Sequence, residues 1–154
     1  VYLMGGVSGS DYRAGAPAHN APDYASAGFS RMAKDLFKMA GLTPSDVGSV
    51  QSYENFTGAV AMALSEHGFF APEQANDFLK LENLTAADGR LPLNTSGGNM
   101  GECYVQGFEL VLEAARQVRG TSTSQAQRND VALVIGGPMV SPTSSLLLGS
   151  EATL

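Results

Sequence analysis

The sequence predicts an α/β domain: a sheet layered against helices, of which one or two are central and buried. Three observations carry this reading. Short apolar runs that suit strands alternate with longer stretches of helical period, in the order strand, helix, strand, helix, helix, strand, strand. The segment Asn55–His67 is apolar on most sides, through Phe56, Val60, Met62, Ala63 and Leu64, as a helix enclosed between layers must be. Glycines stand at the ends of the periodic stretches, where a left-handed residue closes a helix.

Val1–Met4 is a short apolar run closed by Gly5-Gly6, a buried strand. Ser8–Ala25 consists mostly of Gly, Ala, Pro, Asp, Asn and Ser and predicts a long loop, a class that is functional or disordered. Phe29, Met32, Leu36 and Met39 recur every three to four residues and predict a helix over Ala27–Ala40, with Gly41 in the C′ position. A turn then leads to a strand near Val47–Tyr53 and on to the apolar helix, which Gly68 ends. A short helix from near Pro72 groups Ala75, Phe78 and Leu79, and Asp88-Gly89 is the strongest tight-turn signal after it.

A long helix is predicted from about Met100 to Arg119. Tyr104, Phe108, Val111, Ala115 and Val118 form its apolar face; Glu102, Gln106, Glu109, Glu113 and Arg116 form its polar face. Asn99 and Glu102, three residues apart, resemble a capping box. Beyond the polar loop GTSTSQAQRND, Val131–Ile135 and Ser145–Leu148 flank Gly136-Gly137-Pro138 and read as antiparallel neighbours.

With 154 residues the chain has the size of one domain, long enough to bury a core. No apolar run approaches the roughly 18 residues a membrane span needs. A net charge of -6, with no cluster of Lys or Arg, argues against nucleic acid as a partner, because phosphate binding requires a basic footprint. One cysteine beside two histidines leaves neither an internal disulfide nor a structural zinc site, so no metal is expected. A free thiol suits a reducing cytoplasm. The chain starts at Val1, without a basic signal-peptide region, and reads as a fragment or a processed chain.

The segment NTSGGNMGECYVQG, Asn94–Gly107, is the chemical focus: a glycine-rich turn running into the predicted helix. Free N–H groups at a helix start favour an anion. Cys103 in that context is either a small buried hydrophobe or a thiolate held at the helix N-terminus. Tyr104 is either a core aromatic or a reactive phenol. Tyr53 closes a strand at its carboxyl end, where ligands collect in α/β sheets. Glu54 reads as a first-turn charge. His67, in the last turn of its helix, suits a cation against the dipole and a structural role. His19 in the Ala/Pro loop is either solvent-exposed or a substrate contact. The GGVSG run lacks the spacing of a nucleotide-binding loop.

Three blocks in order, YENF at Tyr53–Phe56, NTSGGNMGECYVQG and ALVIGGP at Ala132–Pro138, resemble the C-terminal half of thiolases, most of all the sterol-carrier or lipid-transfer-type branch. The resemblance covers nearly the whole chain. It implies a thiolase-like C-terminal half, a layered mixed sheet with central buried helices, whose other half lies in a separate segment.

The departures from the pattern are specific. Tyr53 stands where the thiolase block Asn-Glu-Ala-Phe has its oxyanion-hole Asn, and Tyr104 stands where the catalytic His follows the glycine turn. The second catalytic cysteine position falls on Val134. Two tyrosines at these places resemble the thiolase-fold aldolases of steroid side-chain breakdown. That resemblance implies retro-aldol cleavage of a β-hydroxyacyl-CoA to a ketone and a shorter acyl-CoA, with Tyr53 and Tyr104 catalytic. Asn94, Ser96, Gly97, Gly98 and Gly137 would shape the substrate site. It further implies acyl-CoA as substrate with no cofactor, a partner with an OB-fold and zinc ribbon, and a homodimer through the other thiolase half. A phenol titrates near 10, so a basic tyrosine requires a lowered pKa, which the turn N–H groups near Tyr104 would help supply. Two alternatives stand beside this: a catalytically silent subunit that binds acyl-CoA or a partner, and acyl transfer through Cys103.

Overall fold

The computed structural model describes residues 1–10, 25–85 and 88–154. His19 and most of the loop predicted over Ser8–Ala25 lie outside them. The elements are β1 (Tyr2–Gly9), α1 (Met32–Ala40), β2 (Ser49–Ser52), α2 (Thr57–Glu66), the single turns α3 (Ala75–Phe78), α4 (Leu81–Leu84) and α5 (Gly98–Gly101), then α6 (Phe108–Arg119), β3 (Val131–Gly136) and β4 (Thr143–Gly149). The strands form one mixed sheet in the order β1-β4-β3-β2, antiparallel except for the parallel pair β2–β3. The parallel pair fits the long helical crossover between those strands, whereas β3 and β4 are joined by a short turn.

β3 is apolar at successive positions because both of its faces are covered. Val131, Leu133 and Ile135 enter the core beneath α1 and α2, while Ala132 and Val134 meet Leu110, Ala114 and Val118 of α6. Helices therefore lie on both faces of the sheet. α1 packs on β1 and β4; α6 packs on β3 and β2.

Several boundaries differ from expectation for identifiable reasons. β1 continues through Gly5-Gly6 to Gly9 because β4 offers a paired partner along that length, after a register shift between Leu3 and Gly5. Gly5 suits the site, since a Cβ there would meet Leu36 Cδ1 at 3.2 Å. α1 begins later than its periodicity suggests. The N–H groups of Ala27 and Phe29 donate to the Glu66 carboxylate at 3.0 and 2.7 Å, which holds the lead-in outside the helix. Gly41 closes α1 with φ +67° as predicted, but Met39 faces solvent and Phe37 takes the core position. α2 buries Ala59, Val60, Ala63 and Leu64 and leaves Phe56 exposed, so it is enclosed on fewer sides than its composition suggested.

The largest correction concerns the predicted helix over Met100–Arg119. It is split into α5 and α6 by an irregular connection, in which Gln106 and Gly107 adopt left-handed φ of +54° and +89°. The expected faces also change in part: Val118 is buried and Gln106 and Arg116 are exposed as expected, but others are not. Glu109 and Glu113 are buried, whereas Tyr104, Phe108 and Leu112 are exposed. Burial of Glu113 is compensated by donors: Thr95 Oγ1 at 2.6 Å, Ser122 Oγ at 2.7 Å and Gln117 Nε2 at 2.9 Å. Among the described residues no helix is long and apolar enough to cross a membrane.

His67 is structural but not cationic. It is buried, its Nδ1–H donates to the Ala63 carbonyl at 2.7 Å, and Nε2 accepts from Ser145 Oγ at 3.0 Å. Burial pushes its pKa down from about 6.5 to about 4, against the opposing pull of the Ala63 carbonyl. Between those values the unfolded chain binds a proton that the folded chain does not. Stability is therefore full above pH 6.5 and falls as pH drops toward 4, by about 3 kcal/mol in all. Thermal unfolding of the complete protein across this range should show the loss, and His67→Gln should flatten it. An equally steep dependence in the variant would refute the assignment to His67.

Candidate active site

β2 and β3 run parallel and end at the same edge of the sheet, and the Tyr53 N–H donates to the Ile135 carbonyl at 2.8 Å, one residue beyond β2. This pairing delivers Tyr53 to the carboxyl edge, beside the Gly136-Gly137 turn. The connection after α5 crosses the same place and brings Tyr104 over it. The two phenol oxygens are 2.5 Å apart, and the rings meet edge to face at 6.3 Å and 64°. Tyr53 is half-buried and Tyr104 is exposed. The two tyrosines singled out by sequence thus form one hydrogen-bonded pair.

That pair has a definite electrostatic setting. The hydrogen bond with Tyr104 pushes the Tyr53 pKa up to about 12, helped by desolvation and by the negative charges of Tyr104, Glu109 and Glu54. Tyr53 therefore keeps its proton at neutral pH. The lowered pKa that the sequence reading asked of a basic tyrosine is not found at this residue.

Glu54 overturns the picture of the glycine turn as an open anion cradle. Its carboxylate accepts from Asn99 Nδ2 at 2.8 Å, from Asn94 Nδ2 at 3.4 Å and from the Met100 N–H at 3.3 Å. An internal anion already answers the start of α5. A Cβ on Gly98 would come within 2.5 Å of Glu54 Oε1, so only glycine lets the carboxylate sit there. Asn99 is committed to Glu54 and makes no capping box; Gly97 is the N-cap, with φ +97°.

Asn94 acts as a strand extender. Its Oδ1 accepts from the Ser52 N–H at 2.7 Å and its Nδ2 donates to the Ser52 carbonyl at 2.9 Å, continuing the bridge between Val50 and Leu93. Thr95 binds Gln51 on β2 and Glu113 on α6. The turn is therefore fastened to both elements. Ser96 Oγ is buried with no hydrogen-bond partner among the described residues. Gly137, with φ +64°, turns the chain between β3 and β4, and the next carbonyl, that of Pro138, accepts from Asn55 Nδ2 at 3.2 Å.

Sequence reasoning missed Glu109 as a site residue. Its carboxylate accepts the N–H of Val105 at 2.9 Å and of Gly107 at 3.1 Å, from within the first turn of α6. The backbone N–H groups on either side of Gln106 are thus engaged by an internal carboxylate. An acidic residue two positions after a glycine at a helix start was the available signal. Cys103 is exposed and follows the C-terminal end of α5, so it is neither a buried hydrophobe nor a thiol at a helix N-terminus. A groove of about 510 Å³ runs alongside, between β1, β4 and the start of α6; Gln106, Gly107, Phe108, Val134 and Leu146 line it. Among the described residues no three His, Cys, Asp or Glu side chains group to hold a metal ion.

Comparison with known proteins identifies the family to which this fold belongs. The chain is 44% identical over 118 residues to a steroid side-chain-cleaving aldolase of Thermomonospora curvata, covering 77% of this chain and 30% of that protein. It is 40% identical over 116 residues to a 17-hydroxy-3-oxo-4-pregnene-20-carboxyl-CoA lyase of Mycobacterium tuberculosis, covering 75% of this chain and 30% of that one. A solved structure described as the Ltp2-ChsH2(DUF35) aldolase superposes with a TM-score of 0.85 at 36% identity, over 97% of this chain and 39% of its own. The chain thus spans about 30% of the length of the curated relatives it matches. The family model described as thiolase C-terminal domain-like matches residues 13–150, and with the mixed sheet and its two helical layers this places the chain in that family.

Proposed function

We propose that this chain carries the catalytic tyrosines of a CoA-thioester aldolase, which cleaves a β-hydroxyacyl-CoA with a steroid side chain into a ketone and a shorter acyl-CoA. The observation that carries the reading is the hydroxyl contact between Tyr53 and Tyr104 at the carboxyl edge of β2, at 2.5 Å. In the reaction a base takes the β-hydroxyl proton, the Cα–Cβ bond breaks, and the electron pair passes to the thioester as an enolate. A proton returned to Cα completes the acyl-CoA. Both halves of this exchange need a positioned acid–base group. Tyr53, which keeps its proton, stands with its hydroxyl against that of Tyr104. Tyr104, the more exposed of the two, is the base.

The Ser96 hydroxyl, without a hydrogen-bond partner among the described residues, serves the thioester side of the site. Asn94, Gly97 and Gly98 hold the turn that presents it, and Gly137 opens the opposite wall. No cofactor is called on; acyl-CoA is the substrate. The names of the relatives support both the aldol chemistry and the CoA thioester. The two-part description of the structural match supports a second protein, which we take to be of OB-fold and zinc-ribbon type. The remaining thiolase half supplies a homodimer interface, and the enzyme works in the cytoplasm.

The test is to incubate the complete enzyme with a steroid β-hydroxyacyl-CoA and follow both products by mass spectrometry. Ketone and shortened acyl-CoA should appear in equal amounts. Cys103→Ala should turn over within about twofold of wild type, as expected of a surface residue outside the chemistry. Absence of cleavage, or its loss in Cys103→Ala, would overturn the proposal, the latter in favour of acyl transfer.

A further inference from the structure

We propose that Glu109 is the positioning residue of the tyrosine pair, holding through one buried carboxylate both the loop that carries Tyr104 and the glycine against which Tyr53 packs. The inference rests on the aldolase reading and deepens it. Glu109 is 2% exposed, and no Lys, Arg or His pairs with it among the described residues. A lone buried carboxylate is costly unless donors surround it. Its donors are the N–H of Val105, directly after Tyr104, at 2.9 Å and the N–H of Gly107 at 3.1 and 3.2 Å. The start of the 12-residue α6 adds a favourable dipole.

Both contacts bear on the hydroxyl pair. Fixing Val105 sets where the backbone of Tyr104 stands. Fixing Gly107 sets the surface beneath Tyr53: a Cβ there would lie 2.8 Å from Tyr53 Cδ2. Glu109 has a second effect through its charge. The titratable and charged groups that face Tyr53 are Tyr104, Glu109 and Glu54, and all of them act to keep its proton on. Glu102, on the same connection, is neutralised by Arg116 at 2.7 Å.

The experiment uses the complete enzyme with Glu109→Gln and Glu109→Asp, measuring kcat and KM across pH, with Tyr53→Phe and Tyr104→Phe assayed alongside. The amide presents a donor toward N–H groups and carries no charge. Glu109→Gln should lower kcat roughly 10- to 100-fold and leave KM within about threefold, as misplacement of catalytic groups does. The alkaline fall in kcat should also begin at lower pH, because Tyr53 loses a negative neighbour. Glu109→Asp keeps the charge but is one methylene shorter, so kcat should fall while the alkaline limb stays where it is in wild type. A Glu109→Gln enzyme with wild-type kcat and pH profile overturns the proposal. If that variant does not fold, wild-type kcat in Glu109→Asp overturns it equally. Full activity in both Tyr→Phe enzymes would instead sink the aldolase reading itself, whatever Glu109 does.

Discussion

Tyr53→Phe and Tyr104→Phe, each made in the complete enzyme, are expected to reduce carbon–carbon cleavage by about 10²- to 10⁴-fold, the usual contribution of a positioned acid–base group. Each change removes one oxygen of the 2.5 Å contact and keeps both rings, so the edge-to-face packing at 6.3 Å survives. The folded state should lose little, because Tyr53 is only half-buried and Tyr104 is exposed. The loss should therefore appear in kcat rather than in the melting temperature. The double variant should be scarcely worse than either single one, since groups that act as a unit are not additive. Turnover near wild type in both single variants would remove the tyrosines from the mechanism. If cleavage also depended on the presence of this chain, its role would become that of a silent binding subunit.

Gly107→Ala should be nearly as damaging to activity, by a different route. Gly107 has φ +89°, a conformation that costs a side-chain-bearing residue about 1–3 kcal/mol. The new Cβ would also lie 2.8 Å from Tyr53 Cδ2 and 3.2 Å from Cε2. The ring must move away, and its hydroxyl leaves Tyr104. A displacement on the order of 1 Å lowers catalysis about 10²-fold. Gly41→Ala is the matched control, because φ there is +67° and none of the described residues lies within 4 Å of the added carbon. Both variants should melt earlier than wild type, but only Gly107→Ala should lose turnover. Equal activity in the two would show that the contact with Tyr53 is immaterial.

The later strands were legible because their signals are local, whereas the run Val1–Met4 at β1, expected to be buried, leaves Val1, Tyr2 and Leu3 exposed. Val131–Ile135 is apolar at every position, and its length matches β3 to within a residue. Gly41 and Gly68 closed their helices as read, since a left-handed residue after a periodic run needs no knowledge of neighbours. Tyr53 was legible as the residue at the carboxyl end of a strand, and it stands one residue beyond β2. The split between α5 and α6 was not legible. Periodicity from Tyr104 to Val118 continues unbroken, whereas the chain turns left-handed at Gln106 and Gly107 and Glu109 takes up the N–H groups of Val105 and Gly107. The burial of Glu113 on α6 was hidden by the same limit: spacing distinguishes two sides, and the donors on Thr95, Ser122 and Gln117 are what allow that carboxylate to be buried.

The sequence by itself determined the sheet-and-helix order, the thiolase-like pattern and the two tyrosines that depart from it. Tertiary structure decided what those tyrosines are to each other. Parallel pairing of β2 with β3 sets Tyr53 at the sheet edge, and Glu109 and Glu54 fix the two segments beside it. A carboxylate finds its partners among backbone groups that fold against it. Its effect on Tyr53 depends on distance and burial, and neither is written in the spacing of residues along the chain.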